Sequence, residues 1–225
     1  GGFSLMAERK SNIKYFFTVE ADCEDWHLGH LQKLINNNEK SLCTVQIERV
    51  ITRELKKTAK TINPVTVPQT LYHLCDVEGV EDEDQTRFQN YLKDLKTVKK
   101  QKGLQYDLGY SNFSFELWMI LHKQACDGCL TYKKEYLALI NKAYNENFSR
   151  LKSYKNKDNF QSCLDKIDLS DIKMAVARAK DIMVMRKRNG DEEISLYTYK
   201  YYKDNPALTI WQSIEKILKD CGLLS

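Results

Sequence analysis

Three carboxylates stand directly after apolar runs: Glu20 closes "FFTVE", and Asp76 and Glu78 follow "LYHLC". A fourth, Glu116, opens the apolar stretch "FELWMIL" behind the polar run "SNFS". In an open parallel sheet, ligands bind beyond the carboxyl ends of the strands, so acids that end neighbouring strands share one crevice. Residues i and i+2 of an extended stretch face the same way, which would aim Asp76 and Glu78 together. Carboxylates gathered like this repel one another unless a cation lies between them. Mg2+, or Mn2+ in its place, suits such a set because it takes oxygen ligands, keeps several waters and is completed by substrate phosphates. The chemistry that follows is metal-assisted phosphodiester cleavage, in which the ion stabilises charge on the phosphate and lowers the pKa of an attacking water. The expectation is therefore that Glu20, Asp76 and Glu78 hold the metal and, with Glu116, do the catalysis. Taken singly, each acid has a plainer reading. A strand-end acid caps the next helix or faces water, and an acid in a helix's first turn is what the dipole prefers.

Other residue sets carry weaker chemistry. His122, Cys126 and Cys129 in "HKQACDGC" could supply three zinc ligands, with no evident fourth unless Cys163 is recruited, and buried free thiols are the commoner case. His73, three residues before Asp76 in a strand, should face opposite to that acid. In "IKMAVARAKDIMVMRKR" the stripe Ile172, Ala175, Val176, Ala179, Ile182 and Met183 reads as buried. That leaves Lys173, Lys180, Arg186, Lys187 and Arg188 outside as a phosphate track, or simply as a solvated face with a charged helix end. "RELKKTAK" at 53–60 is a lesser candidate for the same task. "LYTYKYY" at 196–202 alternates with period two, which suits a small hairpin better than a base-stacking surface.

The elements that must position these residues read as follows. "IKYFFTVE" is a short strand buried on both faces. It leads into a helix with Trp26, Leu28, Leu31, Leu34 and Ile35 at helical spacing. "LCTVQIERVIT" and "TLYHLCDVEG" read as further strands, and the basic stretch from Arg53 must end or bend at Pro64. "DEDQTRFQNYLKDLKTVKKQ" begins acidic, ends basic and carries Phe88, Leu92, Leu95 and Val98 as one stripe, the polarity of a helix. "LQYDLG" at 104–109 is a candidate strand, with a helix beginning at Ser111 or Ser114. From about residue 131 the pattern turns helical, at "TYKKEYLALINKAYNEN", "LSDIKMAVARAKDIMVMRKR" and "PALTIWQSIEKILKD", the last with proline at its start.

Bulk properties set the frame. With 225 residues, 42% hydrophobic and 29% charged, the chain can bury an ordinary core. A net charge of 35 − 31 = +4 is too mild to prove a nucleic-acid partner. No apolar run approaches the roughly 20 residues of a membrane span, and no leader pattern precedes the first strand. Seven scattered cysteines suit a reducing compartment. Together these predict a soluble cytoplasmic protein with no membrane association. The opening "GGFSLM" precedes the first predicted element and places a methionine at Met6.

Three motifs together resemble the RloB-like abortive phage-resistance proteins, whose core is similar to the Toprim domains of topoisomerases, primases and small nucleases. The first, an apolar strand followed by Glu-Gly-Glu and a further acid, appears as "FFTVEADCED", matching at Glu20, Asp22 and Asp25, with Ala21 in place of the glycine. The second, usually Asp-x-Asp, is Asp76-Val77-Glu78. The third, Ser-Asn-Pro then Phe-Glu-Leu-Trp and an apolar run into histidine, is matched by Ser111, Asn112, Phe115, Glu116, Leu117, Trp118 and His122, with Phe113 where proline is usual. Weaker echoes lie in "AVARAK" and "NPALT", so the resemblance spans most of residues 13–218. It implies an α/β fold with a Toprim-like, mainly parallel sheet over residues 10–125 and a helical extension over 126–225. It also implies a Mg2+-dependent nuclease acting on DNA or RNA in phage defence, beside an ATPase partner of the AAA or ABC type. The other class of protein these residues allow is a non-catalytic nucleic-acid-binding or regulatory subunit of a defence ATPase, with the acids structural.

Overall fold

The computed structural model describes residues 10–225 except Gln69, so Met6 lies outside the described residues. Four strands lie parallel: β1 (Ser11–Val19), β2 (Cys43–Ile51), β3 (Thr70–Asp76) and β4 (Gln105–Asn112). A fifth, β7 (Ala207–Leu208), pairs antiparallel with the end of β4. Their order is β2-β1-β3-β4-β7. The chain thus leaves β1 to one side for β2 and returns to its other side for β3, which makes the β1/β3 boundary the point where the winding reverses and where a crevice opens beyond the strand ends.

The run of apolar residues in β1 is buried on both faces, as parallel strands covered by helices require. Phe17, Val19, Tyr72 and Leu74 face one layer, formed mainly by α1 (Asp22–Asn36), α4 (Glu116–Leu121), α5 (Tyr136–Tyr144), α7 (Lys157–Leu164), α8 (Leu169–Asn189) and α9 (Ile210–Asp220). Phe16, Leu71 and Cys75 face the other, formed by α2 (Leu55–Thr61), α3 (Asp82–Lys102) and a hairpin of β5 (Glu193–Leu196) and β6 (Tyr199–Tyr202). The short α6 (Leu151–Tyr154) and a 3-10 turn at Lys133–Glu135 complete the chain. Gly109 in β4 lets α9 press close, since a Cβ there would lie 3.3 Å from the Cα of Ile210 and 2.5 Å from Cδ2 of Leu74. No described helix is long and apolar enough to cross a membrane.

Two boundaries differ from the sequence reading. Of the two helix starts the sequence allows, Ser111 is not one: β4 runs to Asn112, because Ser111 and Asn112 pair with Leu208 and Ala207 while the Asn112 amide donates to the Tyr202 and Lys203 carbonyls, and the helical turn begins at Ser114, whose carbonyl accepts the Leu117 N–H at 3.0 Å. Pro206 does not open a helix either, because the residues after it form β7 and α9 begins at Ile210. The rear of the chain is therefore not wholly helical, and it supplies the last strand of the front's sheet.

Candidate active site

Beyond the carboxyl ends of β1 and β3 lies a cavity of about 60 Å3, room for a few waters or a partly hydrated cation. Glu20, Glu24, Asp76, Glu78 and Glu116 line it, with Arg53, Lys133 and Lys155. All four acids singled out in the sequence reach this one crevice, each by its own route. Glu20 follows the last residue of β1, and its Oε2 accepts the Asp76 backbone N–H at 2.9 Å, which fastens the two strand ends together. Asp76 is the last residue of β3 and is 7% exposed. Glu116 opens α4 and is 2% exposed.

Glu78 arrives differently from the way strand alternation implied. The strand has ended at Asp76, and Glu78 adopts a positive φ of 76°, held by its N–H donating to the Phe113 carbonyl at 2.8 Å. A turn, not a pleat, brings it to the cavity. Left-handed backbone suits Asp or Asn better than Glu.

Glu24 is the residue the sequence reasoning passed over. Asp22 is exposed and Asp25 pairs with Arg49 at 2.8 Å, so neither acid of the first motif beyond Glu20 enters the crevice. Glu24 does, at 4% exposure. The signal was present, because Glu24 heads the buried stripe of α1 that continues through His27, Leu28, Leu31 and Ile35.

Electrostatics divide the five acids into two kinds. Glu78 pairs with Lys133, and the Arg87 guanidinium lies 4.0 Å away. Glu116 pairs with Lys155 at 2.8 Å and accepts from the Ser114 hydroxyl. Burial alone would raise the Glu116 carboxyl, yet Lys155, then Lys133, hold it below its ordinary range. Among the described residues, Glu20, Glu24 and Asp76 form no ion pair. Burial first, then the charges of Glu20 and Glu116, push Glu24 up to about 8, against a hydrogen bond from the backbone. Burial and the Glu24 charge push Asp76 up, with Lys133 opposing. Burial raises Glu20 as well, opposed by hydrogen bonds from the Asp76 amide and the Tyr91 hydroxyl. These three carboxyls are held out of water without a cation of their own, which favours their neutral forms.

Hard oxygen donors with unbalanced charge suit a divalent cation of the magnesium kind. They do not form a ready cage: among the described residues no three His, Cys, Asp or Glu side chains are gathered to hold a metal. An ion here would take one or two carboxylates directly and meet the rest through its waters, as magnesium commonly does.

The remaining candidates separate. Lys187 and Arg188 are exposed at the end of α8 and Lys173 is half-buried on its side. Lys180 is engaged by Glu215 and lies over the Trp211 ring. Arg186 is not on the outer face at all: it is 5% exposed, donates to the Pro206 carbonyl at 2.8 Å and pairs with Asp191 at 2.9 Å. It falls on the buried stripe one turn beyond Ile182, and Met183 sits at its margin. The structure does not gather the possible zinc ligands, in line with the reading of these cysteines as free thiols. His122 turns its Nδ1 to the Trp118 carbonyl and its Nε2 to His27 inside the core, while Cys129 is exposed and contacts Arg186. His73 faces Thr18, on the opposite side of the sheet from Asp76, as strand alternation required.

A family model described as RloB-like protein matches residues 50–217, which takes in Asp76, Glu78 and Glu116 but not Glu20 or Glu24. No curated protein and no solved structure matches the chain.

Proposed function

The chain belongs to the RloB-like family, and from that membership together with the acidic crevice we propose that it is a Mg2+-dependent nuclease with a Toprim-like core. One observation carries the reading: Glu20, Glu24 and Asp76, from two strand ends and a helix, share a buried crevice at the reversal point of the sheet without an ion pair of their own among the described residues. Glu20 and Asp76 would hold Mg2+ or Mn2+, with Glu24 and Glu78 contacting its waters. Bound there, the ion would supply charge stabilisation on a phosphate and a water of lowered pKa. Lys155 keeps Glu116 ionised, and Lys133 forms an ion pair with Glu78. Glu116 is thereby a fixed negative wall of the crevice and a positioning residue for Lys155.

A cavity of about 60 Å3 is too small for a nucleotide, so a phosphodiester would meet the acids at the mouth with its bases outside. Arg53, at that mouth, and the exposed Lys187 and Arg188, with Lys173, are the cations we assign to DNA or RNA phosphates. Lys180 and Arg186 leave that set because their charges are engaged. The resemblance to abortive phage-resistance proteins supplies the setting, defence against phage in the cytoplasm beside an ATPase of the AAA or ABC type.

Glu20→Gln and Asp76→Asn test the assignment. Each should lose Mg2+ binding by calorimetry and metal-dependent cleavage of labelled DNA and RNA, with the thermal midpoint equal to or above that of the unsubstituted protein. Undiminished cleavage by both variants removes the nuclease reading and leaves a nucleic-acid-binding or regulatory subunit.

A further inference from the structure

At the end of the sheet opposite the crevice, the first residue of β2 and the residue after α9 bring two thiols together. Cys43 and Cys221 stand 178 positions apart, both buried, with their Sγ atoms 2.9 Å from each other. That is inside the roughly 3.5–4.0 Å at which even the smaller carbon atoms rest against one another. The seat is built from several sides. The Leu42 N–H donates to the Cys221 carbonyl at 2.9 Å, and the Tyr15 hydroxyl of the adjoining strand donates to Asp220 at 2.6 Å. Gly222, with φ +66°, lies so close over Leu42 that a Cβ would fall 2.6 Å from its Cδ1. These contacts fasten the end of α9 to the start of β2 and so hold the two cysteine backbones side by side. A disulfide needs about 2.05 Å between sulphurs, so closure asks for less than about 1 Å of travel.

We infer that Cys43 and Cys221 are an oxidation site, forming a reversible disulfide with hydrogen peroxide that fastens the C-terminal helix to the edge strand of the sheet. The chemistry balances with that one oxidant. A thiol of the pair gives up its proton and attacks a peroxide oxygen; the S–O bond forms, the O–O bond breaks, and the departing hydroxide takes the proton as water. The second thiol, giving up its own proton, attacks the resulting sulfenic sulphur; the S–S bond forms, the S–OH bond breaks and a second water leaves. Two thiols lose two electrons in all, and one peroxide gains them. Burial, reinforced by the Cys43 contact, pushes the Cys221 thiol up to about 12. Proximity is therefore the pair's advantage and thiolate content is not. Cys129, exposed, is the internal comparator.

The test uses the full folded chain. It is treated with hydrogen peroxide, remaining thiols are blocked with N-ethylmaleimide after unfolding, and the protein is digested without reductant. The expected result is one peptide linking Cys43 to Cys221, a mass loss of about 2 Da and reversal by dithiothreitol. The thermal midpoint should stand about 5 °C or more above that of the reduced chain. C43S and C221S should each lose the linked peptide and the thermal gain. Both thiols still open to N-ethylmaleimide once Cys129 is fully oxidised would overturn the inference, as would a linked peptide formed only after denaturation. Wild-type protein alone decides between these outcomes, whether or not the variants fold.

Discussion

Glu24→Gln should make the protein more stable in neutral, metal-free buffer, and the gain should vanish in acid. The Glu24 carboxyl titrates near 4.5 when unhindered and near 8 in the fold. A carboxyl raised on folding takes up a proton between those two values, so its contribution is best below about pH 4.5, worsens as pH rises, and levels off above pH 8. At about 1.4 kcal/mol per pH decade, the penalty is under about 1 kcal/mol at pH 5, about 3 kcal/mol at pH 7 and near 5 kcal/mol at pH 9. Glutamine keeps the shape and cannot ionise, so the variant escapes that penalty. Urea denaturation in EDTA at pH 5, 7 and 9, with wild type alongside, reads the difference. Added Mg2+ should stabilise the wild type by mass action and the variant less. A variant less stable at pH 7, or more stable by the same amount at pH 5 and pH 9, would refute the claim that Glu24 sits in the fold as an uncompensated buried acid.

Three further outcomes follow from the same charges. Lys155→Met strands Glu116, which is 2% exposed, and should cost about 2–3 kcal/mol near neutral pH, below the range for a fully buried pair because the lysine is 38% exposed. Because the pair holds the Glu116 carboxyl below its ordinary range, the stability it adds is present above about pH 4.5 and lost as pH falls, so the cost measured by chemical denaturation should shrink in acid. Arg186→Met should cost about 3 kcal/mol in the same assay yet leave the salt dependence of oligonucleotide binding unchanged, whereas Lys187→Ala with Arg188→Ala should flatten that dependence without loss of stability. Mg2+ binding near pH 7 should release about one proton, seen as a binding enthalpy that tracks the ionisation enthalpy of the buffer, and binding with no such dependence would contradict the protonated state of the crevice.

What the sequence disclosed follows from how far each signal reaches along the chain. An apolar run ending in acid is local, so β1 with Glu20 and β3 with Asp76 were legible as strand ends, and the β2-β1-β3-β4 arrangement that brings them side by side is the ordinary outcome of alternating strands and helices. Helical spacing reaches a few turns, and it held more than was taken from it: the stripe of α1 points to Glu24, and the stripe of α8 continues to Arg186. In both cases residue type was weighed above position, though a charged side chain on a buried stripe is the informative exception. Other features had no local signal. β7 is two residues long, too short for any period, and exists because β4 offers it an edge. Lys133 and Lys155 lie in a 3-10 turn and at the end of α6, and only tertiary packing brings them to Glu78 and Glu116.

Those two lysines bear on why the crevice folds. Five carboxylates line it against three cations, Arg53, Lys133 and Lys155, a difference of 5 − 3 = 2 that Arg87, 4.0 Å from Glu78, reduces further. With Glu24 protonated the charges come close to balance, which a marginally stable fold can carry without a ligand. The lysines neutralise Glu78 and Glu116 and leave the excess on Glu20, Glu24 and Asp76, where two strand ends and a helix start converge. The same accounting separates the two readings of the protein. A purely structural cluster gains by pairing or replacing every buried acid, since an unpaired buried charge is among the costliest features a core can hold. Two of these acids are paired and, among the described residues, three are not, which is the pattern a ligand-binding crevice tolerates and a purely structural one does not.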